Sequence, residues 1–282
     1  MKHHHNKVAL ITGSNSGVGF ELAKKMLSEG WQVIALNRSN FPTDEVIQTA
    51  QKSKQLRIYK GDLADFSSLR RALDQIKQSE DHIDLLFNNA GVSFGEFQYS
   101  IQGRETHFEV NTVVPYIIFM ELRELLLKGE LKTVINTSSN ALLMVKQFDY
   151  NTLDKPVGFK KLLGPYAATK LALSLWTQQI APAQLTEEIR IRSVCPGPSK
   201  TKMSKGAGMP GFMIPIANLF FSHPSAGAAR LYDAALGHHK DATGIFLNKG
   251  KATPFKFNDQ SANVLDKVDR IYKQEFACAN MQ

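Results

Sequence analysis

The sequence predicts a single α/β domain built on a doubly wound parallel sheet of about seven strands, flanked by helices on both faces. Short apolar, β-branched runs alternate with longer helix-periodic stretches, which is the pattern of repeated βαβ units. A glycine cluster sits between the first such run and the first helical one. Neither an internal repeat nor a Ser/Gly/Pro linker divides the 282 residues, so one domain over 7–282 is expected after a tail or tag remnant at 1–6.

The first strand is read at Val8–Thr12, and Phe20, Ala23, Met26 and Leu27 then recur at helical spacing. Strands follow at Gln32–Asn37 and Leu56–Lys60, the latter leading into a helix marked by Leu69, Leu73 and Ile76. A fourth strand is read at 83–88. The run 113–127, with Phe119, Leu122 and Leu126, predicts one long helix that is either buried or packed against a second subunit. Thr133–Thr137, Arg190–Cys195 and 244–247 complete the strands. Val264, Leu265, Val268, Ile271 and Tyr272 mark an amphipathic final helix, packed on the body or at a subunit contact.

Two connections, 142–164 and 198–222, break the alternation. Long loops of this kind are usually functional, and in a doubly wound sheet both lie at carboxyl ends of strands, where ligands bind. They are the expected walls of a substrate pocket. Phe212, Met213, Ile214, Ile216, Leu219, Phe220 and Phe221 form either an apolar lid or an ordinary packed helix. Lys200, Lys202 and Lys205 beside them read first as a solvated loop, and otherwise as contacts for phosphate or an acidic membrane.

Composition narrows the function. Lys and Arg number 34 against 26 Asp and Glu, a net charge of +8 that suits a phosphorylated cofactor. The basic residues are scattered and no RNA-binding aromatic motif occurs, which argues against nucleic acid. Cys195 and Cys278 are too few for a disulfide framework or a zinc site, and they fit a reducing cytoplasm. The histidines, His107 among them, lack ligand spacing, so no metal is expected. No run has the length of a spanning helix and the first residues lack a signal-peptide core, so stable membrane insertion is not expected.

Directly after the first strand comes Thr12-Gly13-Ser14-Asn15-Ser16-Gly17-Val18-Gly19. Glycines allow the tight turn and let backbone N–H groups approach a pyrophosphate, whose charge the following helix N-terminus stabilises. The strand–turn–helix context favours dinucleotide binding over a purely structural turn. The four-then-two spacing of Gly13, Gly17 and Gly19 resembles the short-chain dehydrogenase/reductase family, which implies a Rossmann-type domain.

A carboxylate ending the second strand would select NAD(H) through the ribose 2′-hydroxyl. Here that strand ends Asn37-Arg38-Ser39. With no acid to repel it, a 2′-phosphate can be paired by Arg38 and hydrogen-bonded by Ser39. NADP(H) is therefore the expected cofactor and NAD(H) the second candidate. In the alternative reading Arg38 only stacks on the adenine, and Ser16 stands where family members that prefer NADP(H) often carry a basic residue.

Tyr166-Ala167-Ala168-Thr169-Lys170 puts a phenol and an ammonium on one helix face. A carbonyl that receives hydride must also receive a proton, and a tyrosine of pKa ~10 needs help near neutrality. Lys170 and a positive oxidised nicotinamide are expected to lower it. A plain surface pair is the bland alternative. The position argues against it, because the fifth strand ends Asn136-Thr137-Ser138-Ser139 and the Tyr/Lys helix comes next.

This order closely resembles the short-chain dehydrogenase/reductases over residues 7 to about 255. The resemblance implies that Asn88-Asn89-Ala90-Gly91 supports the sheet and the adenosine side, and that Asp62, beside Leu63, meets the adenine. It implies that Asn111 holds a water of a proton relay, that Ser139 rather than Ser138 contacts the substrate oxygen, and that Tyr166 is the acid–base group. Lys170 would tune Tyr166 and bind the nicotinamide ribose, while Pro196, Gly197, Ser199 and Thr201 would face the nicotinamide. Ser199 departs from the usual aliphatic residue.

The glycine-loop wording, the Asn-Arg strand end, the wide Ser139–Tyr166 separation and Pro224-Ser225-Ala226-Gly227-Ala228 resemble the retinol-dehydrogenase-like branch. That branch implies hydride transfer on a small apolar aldehyde, ketone or alcohol, and the family implies a homodimer or homotetramer. A non-catalytic dinucleotide sensor is the competing class. An epimerase would call for a larger nucleotide-sugar region than the chain has after Gly197.

Overall fold

A strand can be apolar on both faces only where both faces are covered, and β1 (Val8–Thr12) is buried at every residue. The computed structural model describes residues 7–201, 206–211 and 221–278. The predicted lid residues 212–220, Lys202, Lys205 and the tail 1–6 lie outside them.

After β1 come α1 (Gly17–Ser28), β2 (Gln32–Asn37), α2 (Glu45–Lys52), β3 (Leu56–Lys60), α3 (Phe66–Ser79) and β4 (Leu85–Asn88). A short α4 (Thr106–Phe108) runs through a π-turn at Glu109–Val113 into α5 (Val114–Glu121) and α6 (Arg123–Lys128). Then follow β5 (Thr133–Thr137), α7 (Pro165–Leu185), β6 (Arg190–Cys195), α8 (Pro224–Leu236), β7 (Phe246–Asn248), β8 (Lys251–Ala252) and α9 (Ser261–Ile271). The sheet order is β3-β2-β1-β4-β5-β6-β7-β8, parallel throughout except for the β7–β8 pair. The order reverses between β1 and β4, and in such sheets the crevice at this switch point takes the ligand.

Alternation divides the core in two. Leu10, Ile34, Leu86, Val134 and Ile191 belong to the cluster that includes α3, α5, α7 and α9, whereas Ala9, Ile11, Val33, Leu85 and Ile135 belong to the one under α1, α2 and α8.

The parallel sheet of about seven strands carries one short addition, because Lys249 (φ 53°) and Gly250 (φ 73°) take the positive φ pair of a tight hairpin turn and fold back β8. Three boundaries are corrected. β4 starts at Leu85 rather than at residue 83: the Ile83 N–H donates to Leu125 O, and the Asp84 carboxylate takes the N–H groups of Val8 and Glu130 at 2.8 and 2.7 Å. The last strand starts at Phe246 and reaches Asn248. The long 113–127 helix is two helices broken at Leu122, whose backbone (φ −100°, ψ 8°) leaves the helical region.

Two open alternatives resolve. α5 is apolar nearly all round because the chain's own C-terminus covers it: the Tyr116 hydroxyl donates to Asp269 at 2.8 Å, the Tyr272 hydroxyl donates to Glu121 at 3.0 Å, and Phe276 is fully buried. The final helix packs on the body. Among the described residues no helix is long and apolar enough to cross a membrane.

Candidate active site

The glycine loop is fixed by crowding as much as by turn geometry. Gly13 and Gly17 take φ of 64° and 56°, a region that L side chains avoid. A Cβ at Gly19 would collide with Gly13 O and Asn89 Nδ2. Asn89 Nδ2 donates to Thr12 O at 3.0 Å and Gly13 O at 3.3 Å, and Thr12 Oγ1 accepts from the N–H groups of Asn89 and Ala90 at 3.0 and 2.9 Å. The β4 end thus clamps the loop against the N-terminus of α1.

A cavity of about 1270 Å³ runs along the carboxyl edge of the sheet from this loop to Tyr166 and Lys170. That exceeds the ~300–1,000 Å³ of ordinary small-molecule pockets and leaves room for a dinucleotide with a second molecule. Gly13, Asn15, Ser16, Gly17, Val18 and Gly19 line one end, and Asn37, Arg38, Ser39, Asp62 and Leu63 flank them. Asn89, Ala90 and Gly91 form the floor. Ser139, Tyr166, Lys170, Pro196, Gly197, Ser199 and Thr201 line the other end.

Two predicted residues stand behind the wall instead. Ser14 is fully buried, its N–H and hydroxyl donating to Asn37 Oδ1 at 2.7 and 3.2 Å, so it positions Asn37 rather than lining the cavity. Asn111 is also fully buried, in the π-turn, with Oδ1 accepting from the Val92 N–H at 2.8 Å and Nδ2 donating to Val92 O at 3.0 Å. Its amide holds the floor.

At the β2 end, Ser14 turns the Asn37 oxygen away and leaves Nδ2 buried without a partner. Such a donor is costly unless something accepts from it. Asn15 Nδ2 donates to Ser39 O and Oγ at 2.9 and 2.7 Å, tying the next loop down. Arg38 is 77% exposed and 3.9 Å from Asp62, a loose rim pair.

The two serines separate cleanly. The Ser138 hydroxyl is spent on the helix behind it, donating to Lys170 O at 3.1 Å and bonding Ser174 Oγ at 2.9 Å. Ser139 lines the cavity on the Tyr166 side, its Oγ accepting from the Ala141 N–H at 3.2 Å, and it lowers the phenol pKa. Lys170 Nζ donates to Thr137 O at 2.8 Å. Burial holds the Lys170 ammonium down at about 8.

Burial pushes the Tyr166 phenol up to about 12, against the expected lowering, with Ser139 offsetting part of the rise.

Several lining groups were missed. Cys195 reads as strand packing, yet it faces the cavity while its Sγ accepts from the N–H groups of Asn140 and Gly197 at 3.2 and 3.4 Å. Val92, Ser93 and Phe94 continue the floor. Their only sequence signal was adjacency to Asn88-Asn89-Ala90-Gly91. The two long loops, expected as pocket walls, contribute Met144 and Leu162 from the first and Met209 and Phe221, one of the residues read as an apolar lid, from the second. Among the described residues no group of acidic, histidine and cysteine side chains could hold a metal ion.

A glycine cradle, a helix N-terminus and a proton-carrying pair in one crevice make a specific combination, and the short chain dehydrogenase family model matches residues 7–151. The chain belongs to the short-chain dehydrogenase/reductase family. Human retinol dehydrogenase 11 (Homo sapiens) is 28% identical over 233 residues, 82% of this chain and 73% of that protein. The WW domain-containing oxidoreductase of Drosophila melanogaster is 26% identical over 253 residues, 86% of this chain and 62% of that one. The resemblance is thus to the retinol-dehydrogenase-like branch. An NADPH-bound carbonyl reductase from chicken fatty liver has the same fold, with a TM-score of 0.66 at 22% identity over 89% of this chain and 100% of that one. Membership makes this chain an oxidoreductase that works with a nicotinamide dinucleotide and a small-molecule substrate.

Proposed function

We propose that this reductase interconverts a carbonyl and an alcohol on an apolar small molecule, with NADP(H) preferred over NAD(H). The observation that carries the reading is the convergence of Ser139, Tyr166 and Lys170 on one cavity whose other end is the glycine loop.

The residues fit the cofactor class. Gly13 and Gly17 take the positive φ of a tight turn leading into α1, as a pyrophosphate-binding loop requires. No carboxylate ends β2; instead the Arg38 guanidinium and the Ser39 hydroxyl flank the cavity. A 2′-phosphate is the group such donors suit. A bound nicotinamide dinucleotide supplies or accepts the hydride and, when oxidised, adds a positive charge.

Tyr166 donates the proton to the nascent alkoxide in reduction and removes it in oxidation. Ser139, which lines the cavity with Tyr166, is the donor that stabilises the developing oxyanion. Lys170 supplies a buried positive charge beside the reaction, turned by Thr137 O, and Asn111 keeps the floor at Val92 in place. Phe94, Val110, Met144, Leu162, Met209 and Phe221 line the substrate side, which supports an apolar substrate over a sugar.

The free Cys195 and Cys278 suit the cytoplasmic location that belongs to the same proposal. A homodimer or homotetramer would have to use a face other than α5, which the C-terminal helix occupies.

The test is a panel of apolar aldehydes, ketones and alcohols followed by the absorbance of the reduced nicotinamide with each cofactor. Turnover with a higher kcat/KM for NADP(H) is expected. Preference for NAD(H) overturns the cofactor assignment, and cofactor binding without turnover on any substrate overturns the enzymatic one.

A further inference from the structure

Glu105 and His107 are 0% and 1% exposed, and the reaction proposed above uses neither. His107 Nδ1 meets Glu105 Oε1 at 2.6 Å, and Nε2 accepts from the Phe94 N–H at 2.8 Å. A ring nitrogen that accepts must be unprotonated, so the proton sits on Nδ1 against the carboxylate, and the glutamate fixes the tautomer. The other Glu105 oxygen accepts from the Phe108 N–H at 3.1 Å, which anchors the carboxylate to α4.

One turn further along, Asn111 grips Val92 through both its N–H and its carbonyl. His107 and Asn111, four residues apart on one helical face, therefore hold alternate residues of the strap 92–95. Val92, Ser93 and Phe94 line the cavity, and the His107 ring also meets Phe94 and Tyr166 edge-on, at centroid distances of 5.2 and 6.4 Å.

The other side of the strap carries the second substrate loop. A Cβ at Gly95 would lie 2.6 Å from Ala207 O, and one at Gly208 would lie 2.6 Å from Ser93 O, so two glycines let the backbones touch. The strap is thus clamped between His107 and the described part of the 198–222 connection.

We infer that His107, with its tautomer set by Glu105, is a positioning residue that fixes the 92–95 strap and through it the substrate side of the cleft. A buried carboxylate–imidazole pair is a poor stability device, since an apolar pair of the same volume would pack there without desolvation. What an apolar pair could not do is accept the Phe94 N–H. The inference rests on the oxidoreductase reading for its kinetic arm only.

The experiment compares His107→Phe, which keeps an aromatic ring without the acceptor, with His107→Gln, whose amide oxygen can take the Phe94 N–H. Glu105→Gln, which retains an oxygen for Phe108, serves as the milder perturbation. For His107→Phe, loss of about one hydrogen bond predicts a KM for the carbonyl substrate raised about tenfold, with kcat within about threefold and the NADPH Kd within about twofold. His107→Gln should recover most of the change, and Glu105→Gln should lie between. Amide hydrogen exchange in the peptide spanning 92–95 should rise in His107→Phe and fall back in His107→Gln. A uniform loss of kcat, cofactor affinity and Tm without rescue by glutamine would overturn the inference, as would unchanged exchange in the strap. The exchange measurement needs no turnover, so absence of activity in the unaltered chain would count against the proposed reaction and leave the strap result to stand or fall separately.

Discussion

The glycine-loop end of the cavity and the substrate end are lined by the same chain but held by different means. At the first, Gly13 is pressed against Ala90 and Gly19 against Gly13 O and the Asn89 side chain, so one added methyl group at either meets backbone. At the second, Phe94, Met144, Leu162 and Met209 hang from long connections, and what keeps them in place is a few side-chain bonds such as those of Asn111 and His107. A pyrophosphate is the same in every substrate pair and can be met by rigid backbone. The second molecule varies from one family member to another, and loops change their walls without disturbing the sheet.

The largest effect should come where the two ends meet. Tyr166→Phe removes the proposed proton carrier and should lower kcat by about 10³-fold, within the ~10²–10⁴ range of general acid–base catalysis, while NADPH still binds with unchanged fluorescence titration. If kcat stays within tenfold, the proton comes from elsewhere and the comparison loses its hinge.

Ser139→Ala should cost about 10²-fold in kcat, the size of a lost oxyanion donor, whereas Ser138→Ala should act chiefly on Tm because its hydroxyl faces α7. The reverse ranking in steady-state kinetics would exchange the two roles.

Gly19→Ala should weaken NADPH binding by about tenfold or more and lower Tm, because the new Cβ meets Gly13 O and Asn89 Nδ2. Met144→Ala at the loop-built end should leave the NADPH Kd within about twofold and change only substrate KM. Isothermal titration of both variants sharpens or breaks the contrast between the ends.

The smallest effect is on stability. Burial lowers Lys170 from 10.5 to about 8, so between those values the unfolded chain binds more protons at this site than the native one. Unfolding free energy therefore rises with pH across that window, and below about 8 the full cost of the buried charge is present. Lys170→Met should raise Tm at pH 7 by roughly 2–6 °C while abolishing turnover, and the gain should shrink as the pH climbs toward 10. Tyr166, held up at about 12, works the other way only above its ordinary value near 10, where the native chain keeps a proton the unfolded one has lost.

What could be read along the chain was whatever is encoded by spacing. Apolar alternation located seven strands, the four-then-two glycines located the loop, and the i, i+4 pair Tyr166 and Lys170 located two side chains that line the same cavity, because each is a pattern within one or two elements. Spacing is blind to partners that are distant in sequence. That Ser138 turns to α7 while Ser139 lines the cavity, that Asn111 and His107 grip residues 92 and 94, and that Cys195 faces the cavity depend on contacts between elements that are not neighbours in the sequence. The raised Tyr166 and lowered Lys170 belong with these, since desolvation is set by everything packed around a group and not by its neighbours in the chain.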